Sequence, residues 1–153
     1  MSRTRTHVLA AAGVLAVGLT ACSSGPSKED YVSSAEQICA DANTALEDLP
    51  EPQSPDQLTD VLEEGISVAD GAVDELEGLE TPSDDGQRID EMFLEPLRGQ
   101  VEAIREFAPE VEEAAASGDL EALSNLQEPD APDADLDAMR DYGFDDCVTF
   151  AEQ

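Results

Sequence analysis

Side chains able to do chemistry are few in this chain. Its 153 residues include one His, His7, and one Lys, Lys28, with three Cys and no Trp. Imidazole is the commonest general base and a frequent zinc ligand, so His triads and multi-His metal sites are out of reach. Lys28 lies near the start of the chain, which removes Ser–Lys chemistry from its body, and no Gly-rich phosphate loop is present. Carboxylates are plentiful instead, with 37 Asp and Glu against 7 Lys and Arg and a net charge of -30. Two of them could hydrolyse a glycoside as a pair. With no Trp and two Tyr the chain lacks the usual aromatic sugar platforms, and a carboxylate-dependent envelope hydrolase ranks behind binding functions.

The acidic residues form local patterns that could hold cations. Asp133, Asp135 and Asp137 alternate as in the opening of a calcium-binding loop. The sixth position of that loop needs Gly and the twelfth a Glu, and here they are Ala138 and Phe144. An acidic helix start accounts for the pattern better. Asp84-Asp85 fits a helix N-terminus in the same way, whereas Asp145-Asp146 has no explanation from sequence. The expected catalytic, metal and cofactor assignments are therefore none.

Cys22 is the one nucleophile whose neighbours give it a task. Arg3 and Arg5 precede an uncharged run of 12 residues from Val8 to Leu19, which is too short for a membrane span of about 20. Leu19-Thr20-Ala21-Cys22 follows, and it resembles the lipobox of bacterial lipoproteins. That resemblance implies alkylation of the Cys22 thiol by a diacylglyceryl group and cleavage just before it. A thiolate is the strongest side-chain nucleophile available for such a reaction. Residues 1–21 then read as a lipoprotein signal peptide, 22–28 as the lipidated Cys with a flexible tether, and 29–153 as one acidic helical domain. Two acyl chains, palmitate among them, would hold the protein stably on the outer face of the cell membrane.

Without residues 1–21 no His remains, and five cations (Lys28, Arg88, Arg98, Arg105, Arg140) face all 37 carboxylates. Such a surface repels nucleic acid, whose binding needs clustered Lys and Arg. It also repels anionic lipid headgroups, so the body stands off the bilayer.

The elements that must position these residues are helical. Val32, Ala35, Cys39, Ala42, Leu46 and Leu49 recur every three or four positions, starting after Ser27 and stopping at Pro50 and Pro52. Ser54-Pro55-Asp56-Gln57 has the cap, the first-turn proline and the reciprocal Gln of a second start. Its stripe runs Leu58, Leu62, Gly65, Ala69, Ala72, Leu76, Leu79, with Val61, Ile66 and Val73 beside it; Gly65 and Gly71 cost about 1 kcal/mol each against Ala. A third stripe carries Ile89, Phe93, Leu97, Val101, Ile104, Ala108 and Val111, with kinks or a break expected at Pro96 and Pro109. Arg98 and Arg105 are expected to pair along that helix with Glu95, Glu102 and Glu106. Gly118 and Asp119 mark a stop and a new cap. Leu120 to Leu126 and Asp133 to Tyr142 give short helices, the last closed by Gly143. No window alternates with period two. The fold class that follows is all-α, a small antiparallel bundle of three main helices plus one or two short ones.

Leu, Ile, Val and Phe make up about a fifth of the residues after position 21, near the border of disorder for so charged a chain. A Cys39–Cys147 disulfide in an oxidising compartment would offset this, since closing a loop of about 100 residues contributes roughly 4–5 kcal/mol. A redox or metal role for the pair is disfavoured, because they form no Cys-x-x-Cys motif and lack two further ligands. Tyr31, Phe93, Phe107, Tyr142, Phe144 and Phe150 are the large residues available, and they are expected to fill the core before lining any groove.

The lipobox, the acidic helical body and the late Tyr142-Gly143-Phe144 run leading to Cys147 resemble small exported lipoproteins of high-GC Gram-positive bacteria. The resemblance implies export and anchoring, not an activity. The expected function is a non-enzymatic binding or interaction module of the cell envelope. Its partners would be the membrane through the lipid and an envelope protein, with no nucleic acid. The alternative is binding of a small ligand or divalent cations. Self-repulsion at this charge predicts a Tm that rises with ionic strength; an unchanged Tm between low and high salt would contradict it.

Overall fold

The computed structural model describes residues 25–118, 120–127 and 129–152. The order is α1 (Lys28–Glu47), α2 (Pro55–Gly78), α3 (Gly86–Ile89), a π-helical turn (Asp90–Leu94), α4 (Glu95–Ser117), α5 (Leu120–Ser124), α6 (Leu136–Tyr142) and α7 (Asp146–Ala151). No strand occurs among the described residues. The expected all-α antiparallel bundle is what the chain forms. α2 lies between α1 and α4, α7 packs on α1, and α6 packs on α7 and the π turn.

Local chemistry sets most of the helix ends. The Ser27 hydroxyl accepts from the Asp30 N–H at 3.1 Å and opens α1. Pro55 occupies the first helical position of α2, but Ser54 makes no side-chain cap bond there. The Gln57 side chain instead accepts from the Gln53 N–H at 2.8 Å, one residue earlier than the reciprocal cap expected. α4 stops at Gly118 (φ 67°). α6 opens with the Asp135 carboxylate accepting from the Ala138 N–H at 3.0 Å. At its end Gly143 (φ 108°) donates to the Arg140 carbonyl and Phe144 to the Met139 carbonyl, with buried Phe144 and Met139 completing the cap.

The third apolar stripe is one run of helix and does not break at either proline. Pro109 sits inside α4. Before Pro96 the helix widens into the π turn, where the Glu95 N–H bonds the Asp90 carbonyl. Pro96 has no N–H to offer the Met92 carbonyl. That carbonyl accepts from the Asp135 N–H at 3.2 Å, which ties the start of α6 to the proline step. Pro132 lies so close to Gly99 that a Cβ there would clash with its ring, so the connector before α6 is seated on α4.

The core gathers at one end of the bundle. Cys39 and Cys147 are disulfide-bonded with Cα atoms 4.9 Å apart. Around them Phe144 packs edge-on to Tyr31 and tilted against Phe93 and Tyr142, with ring centroids 5.2–6.2 Å apart. Leu76, Ile89 and Met139 complete it. Two more α1 side chains hold α7. The Glu36 carboxylate accepts from the Asp146 and Cys147 N–H groups at 2.9 and 3.1 Å, and the Asn43 amide donates to the Asp146 carbonyl at 2.9 Å. Glu36, Cys39 and Asn43 recur at helical spacing, so one face of α1 holds the whole N-terminus of α7.

The two tyrosines differ in how their hydroxyls are satisfied. Tyr142 donates to Asp85 at 2.9 Å, while the Tyr31 hydroxyl is buried without a hydrogen-bond partner among the described residues. Burial pushes Tyr31 up to about 12 and, with the Asp85 bond adding to it, raises Tyr142 as well. Both phenols therefore hold their protons in the fold at pH values where the unfolded chain releases them. Stability is complete below about pH 10 and falls as pH rises toward 12. Tyr31→Phe should leave stability unchanged or raise it at neutral pH, and Tyr142→Phe should cost about 1 kcal/mol. Tyr31→Phe should also flatten the alkaline loss, and chemical denaturation between pH 7 and 12 reads both effects.

Candidate functional site

The opposite end of the bundle is not closed. Along the first half of α2 the apolar stripe lies only half-buried, and the first fully buried side chain of that helix is Ala72. A groove of about 360 Å³ opens there. Its floor and one wall are Leu58, Val61, Leu62, Gly65, Ile66 and Ala69 of α2. Leu46 and Leu49, at and just beyond the end of α1, form a second wall, and Leu97, Val101 and Ile104 of α4 form the third. Phe150 of α7 closes the inner end, and Gln100 is the one polar side chain in the lining.

The groove exists because the apolar stripes are wider than the contacts available to them. α7 is six residues long and covers α1 only around Cys39. Past Phe150 the described residues place no further aromatic side chain over Leu46, Leu49 and the first half of the α2 stripe. Gly65 adds to the opening, since a Cβ there would meet only the tips of Leu49 and Leu46, at 3.5 and 3.9 Å.

Exposed carboxylates interleave with the lining in sequence: Glu47 and Asp48 beside Leu46 and Leu49, and Asp60, Glu63 and Glu64 among the α2 residues. The cations nearest the lining in sequence are Arg98, next to Leu97, and Arg105, next to Ile104, and Arg105 pairs with Asp70, next to Ala69. Arg98 pairs with Glu77 and Asp90. Among the described residues neither Arg forms an ion pair with Glu95, Glu102 or Glu106 of α4 as expected, although Glu102 still attracts Arg105 at longer range. Both Arg side chains reach across to α2, because α2 and α4 run antiparallel and each offers its charged flank to the other. Hydrogen bonds to Asp70 and Glu77 raise both guanidinium pKa values further, so these charges are fixed.

The residues singled out from sequence are distributed elsewhere. Cys22 and the lipobox lie outside the described residues. Cys39 and Cys147 are in the core, bonded to each other. Asp135 caps α6, and Asp85 accepts from Tyr142. Asp145 and Asp146 begin α7, where Glu36 from α1 supplies the cap that its own residues do not. Tyr31, Phe93, Tyr142 and Phe144 are core, Phe107 is half-buried, and Phe150 alone of the six borders the groove. A second hollow on α4, lined by Glu95, Glu102, Glu106, Asp130 and Arg98, is shallow and polar. Among the described residues no three His, Cys, Asp or Glu side chains converge to hold a metal ion.

The groove's aliphatic residues all belong to the apolar stripes read from sequence, which do not show what part of a stripe is covered. The signal that separates groove from core is the type of partner: Tyr31, Phe93, Tyr142 and Phe144 cluster near the disulfide, while the groove is lined by aliphatic residues apart from Phe150 and Gln100. Compared with known protein families, with curated proteins and with solved structures, the chain matches none. Gly65→Ala should raise stability by about 1 kcal/mol, the helix propensity gain, since its new methyl finds space. Chemical denaturation checks this; a loss would mean that the Leu46–Leu49 wall lies closer than described.

Proposed function

We propose that this protein is an exported, lipid-anchored, non-enzymatic binding module of the cell envelope, and that its body takes an apolar ligand in the groove. The observation that carries the binding reading is the groove itself: about 360 Å³, lined by aliphatic side chains with one amide, in a chain otherwise dominated by carboxylates. A highly charged small domain leaves such a surface unfilled at a cost in stability, and concave apolar sites of this size suit small ligands. The export and anchoring reading rests on Arg3, Arg5, the Val8–Leu19 run and Leu19-Thr20-Ala21-Cys22. No helix among the described residues is long and apolar enough to cross a membrane, so the lipid on Cys22 would be the attachment. The alternative of a divalent-cation site has less support, since the acidic side chains that suggested it serve as caps or stand apart.

Gly25 sits against the Thr81 carbonyl, at the end of the bundle where α1 begins. α1 has 20 residues, so the groove at its far end lies about 30 Å from the tether. An anchored molecule would present the groove away from the bilayer.

Two measurements test the reading. Cells fed a labelled fatty acid should label this protein, and Cys22→Ser should abolish the label. An anilinonaphthalene dye should brighten on the oxidised protein at one saturable site, and Ile66→Glu, which places a charge in the wall, should remove that site. Unlabelled wild-type protein, or dye binding indifferent to Ile66→Glu, would refute the corresponding half.

A further inference from the structure

We infer that the groove holds a single aliphatic chain of an amphiphile whose head is uncharged or cationic. The inference deepens the binding reading above and rests on it. The α2 residues of the lining, Leu58 to Ala69, span three helical turns, about 16 Å. The hydrocarbon core of a bilayer is about 30 Å thick, so one acyl tail is about 15 Å long. The slot and one tail therefore match in length. A partner helix, about 10 Å across with its side chains, could lay only one face on a slot of about 360 Å³ and could not enter it.

The lining also selects for a flexible chain. Leu, Val and Ile walls offer contact without direction, and Phe150 is the one ring, at the inner end, so a planar ring system has no stacking face along the slot. Gln100 gives one amide, enough to meet a single polar group. Gly65 keeps the middle of the slot clear at the expense of helix stability, although a larger side chain would meet no backbone there.

Charge decides the head. Glu47, Asp48, Asp60, Glu63 and Glu64 are exposed beside the lining, and Arg105 is committed to Asp70. A carboxylate or phosphate head would approach this acidic surface with Arg98 and Arg105 both already paired, while a neutral or ammonium head would not be repelled. The protein's own lipid is poorly placed to be the occupant. Cys22 is three residues from Gly25 and reaches at most about 10 Å from it; a tail of about 15 Å attached there would enter only the near end of the slot, because Ala69, the nearest lining residue of α2, is about 18 Å along the chain from Thr81 and the slot runs about 16 Å beyond it.

The test uses the oxidised chain from Ser23 onward, which contains every described element and the whole core. Dodecyltrimethylammonium, dodecyl maltoside and dodecanoate are titrated below their micelle concentrations by calorimetry, with native mass spectrometry for stoichiometry. The first two should bind one to one. Dodecanoate should bind at least about tenfold more weakly at low salt, with the gap narrowing as salt rises. Shortening the chain should weaken binding by about three- to fourfold per methylene lost. Gly65→Leu, which fills the slot, and Ile66→Glu should each lose at least tenfold in affinity while helicity and the disulfide remain. Equal affinity for dodecanoate would overturn the head assignment, and undiminished binding to Gly65→Leu would overturn the site. Dye binding without binding of any dodecyl amphiphile would overturn this inference and leave the broader binding reading standing.

Discussion

The short helix α7 is held to one face of α1 by a covalent bond, a carboxylate and an amide, and the closed end of the bundle is built around that clamp. Cys39 supplies the disulfide to Cys147, Glu36 caps the α7 N-terminus, and Asn43 takes the Asp146 carbonyl. Six residues of helix could not stay folded on their own, and a helix of this length has no intrinsic stability in water. The cross-link removes chain entropy from the unfolded state over a separation of 108 residues, which matters most in a chain with so few large apolar side chains. Glu36 then fixes the direction in which α7 leaves the bond. That direction carries Val148 and Phe150 into the core and sets where coverage of α1 ends.

Closure at one end and openness at the other are two sides of the same shortage. Phe93, Phe144, Tyr31 and Tyr142 cluster beside the disulfide and exhaust most of the chain's aromatic volume. What remains for the other end is Leu, Val and Ile, half-buried on α2 and at the end of α1, facing buried Leu97 and Val101 of α4 across a slot. The charged flanks hold the helices in register across that slot through Arg98–Glu77 and Arg105–Asp70, both exposed pairs whose worth lies in alignment more than in stability. The arrangement puts the covalently secured half where α1 begins and the open apolar half where it ends.

Much of the local structure is legible in particular residues. Ser27, Pro55, Gly118 and Gly143 mark helix boundaries where the chain has them, because each acts through its own backbone or its own neighbours. The pairing of Cys39 with Cys147 follows from there being no other thiol available after Cys22. The failures share a cause. Arg98 and Arg105 choose partners on α2 over those on α4, Asp146 is capped from α1, and the Met92 carbonyl freed by Pro96 is met by Asp135, 43 positions on in the chain. Each of these is a contact between distant segments, and spacing along one helix carries no information about it.

The groove shows the same division. Composition and periodicity alone determined an all-α chain, its principal helices, its acidity and the set of apolar side chains that must find cover. They could not say which of those side chains would find it, because Leu62 and Leu76 occupy the same stripe and differ only in what lies opposite. Tertiary structure decided that, through where α7 is fastened and how far six residues can reach. A helix face is written in its own sequence, but its burial belongs to the neighbour that covers it.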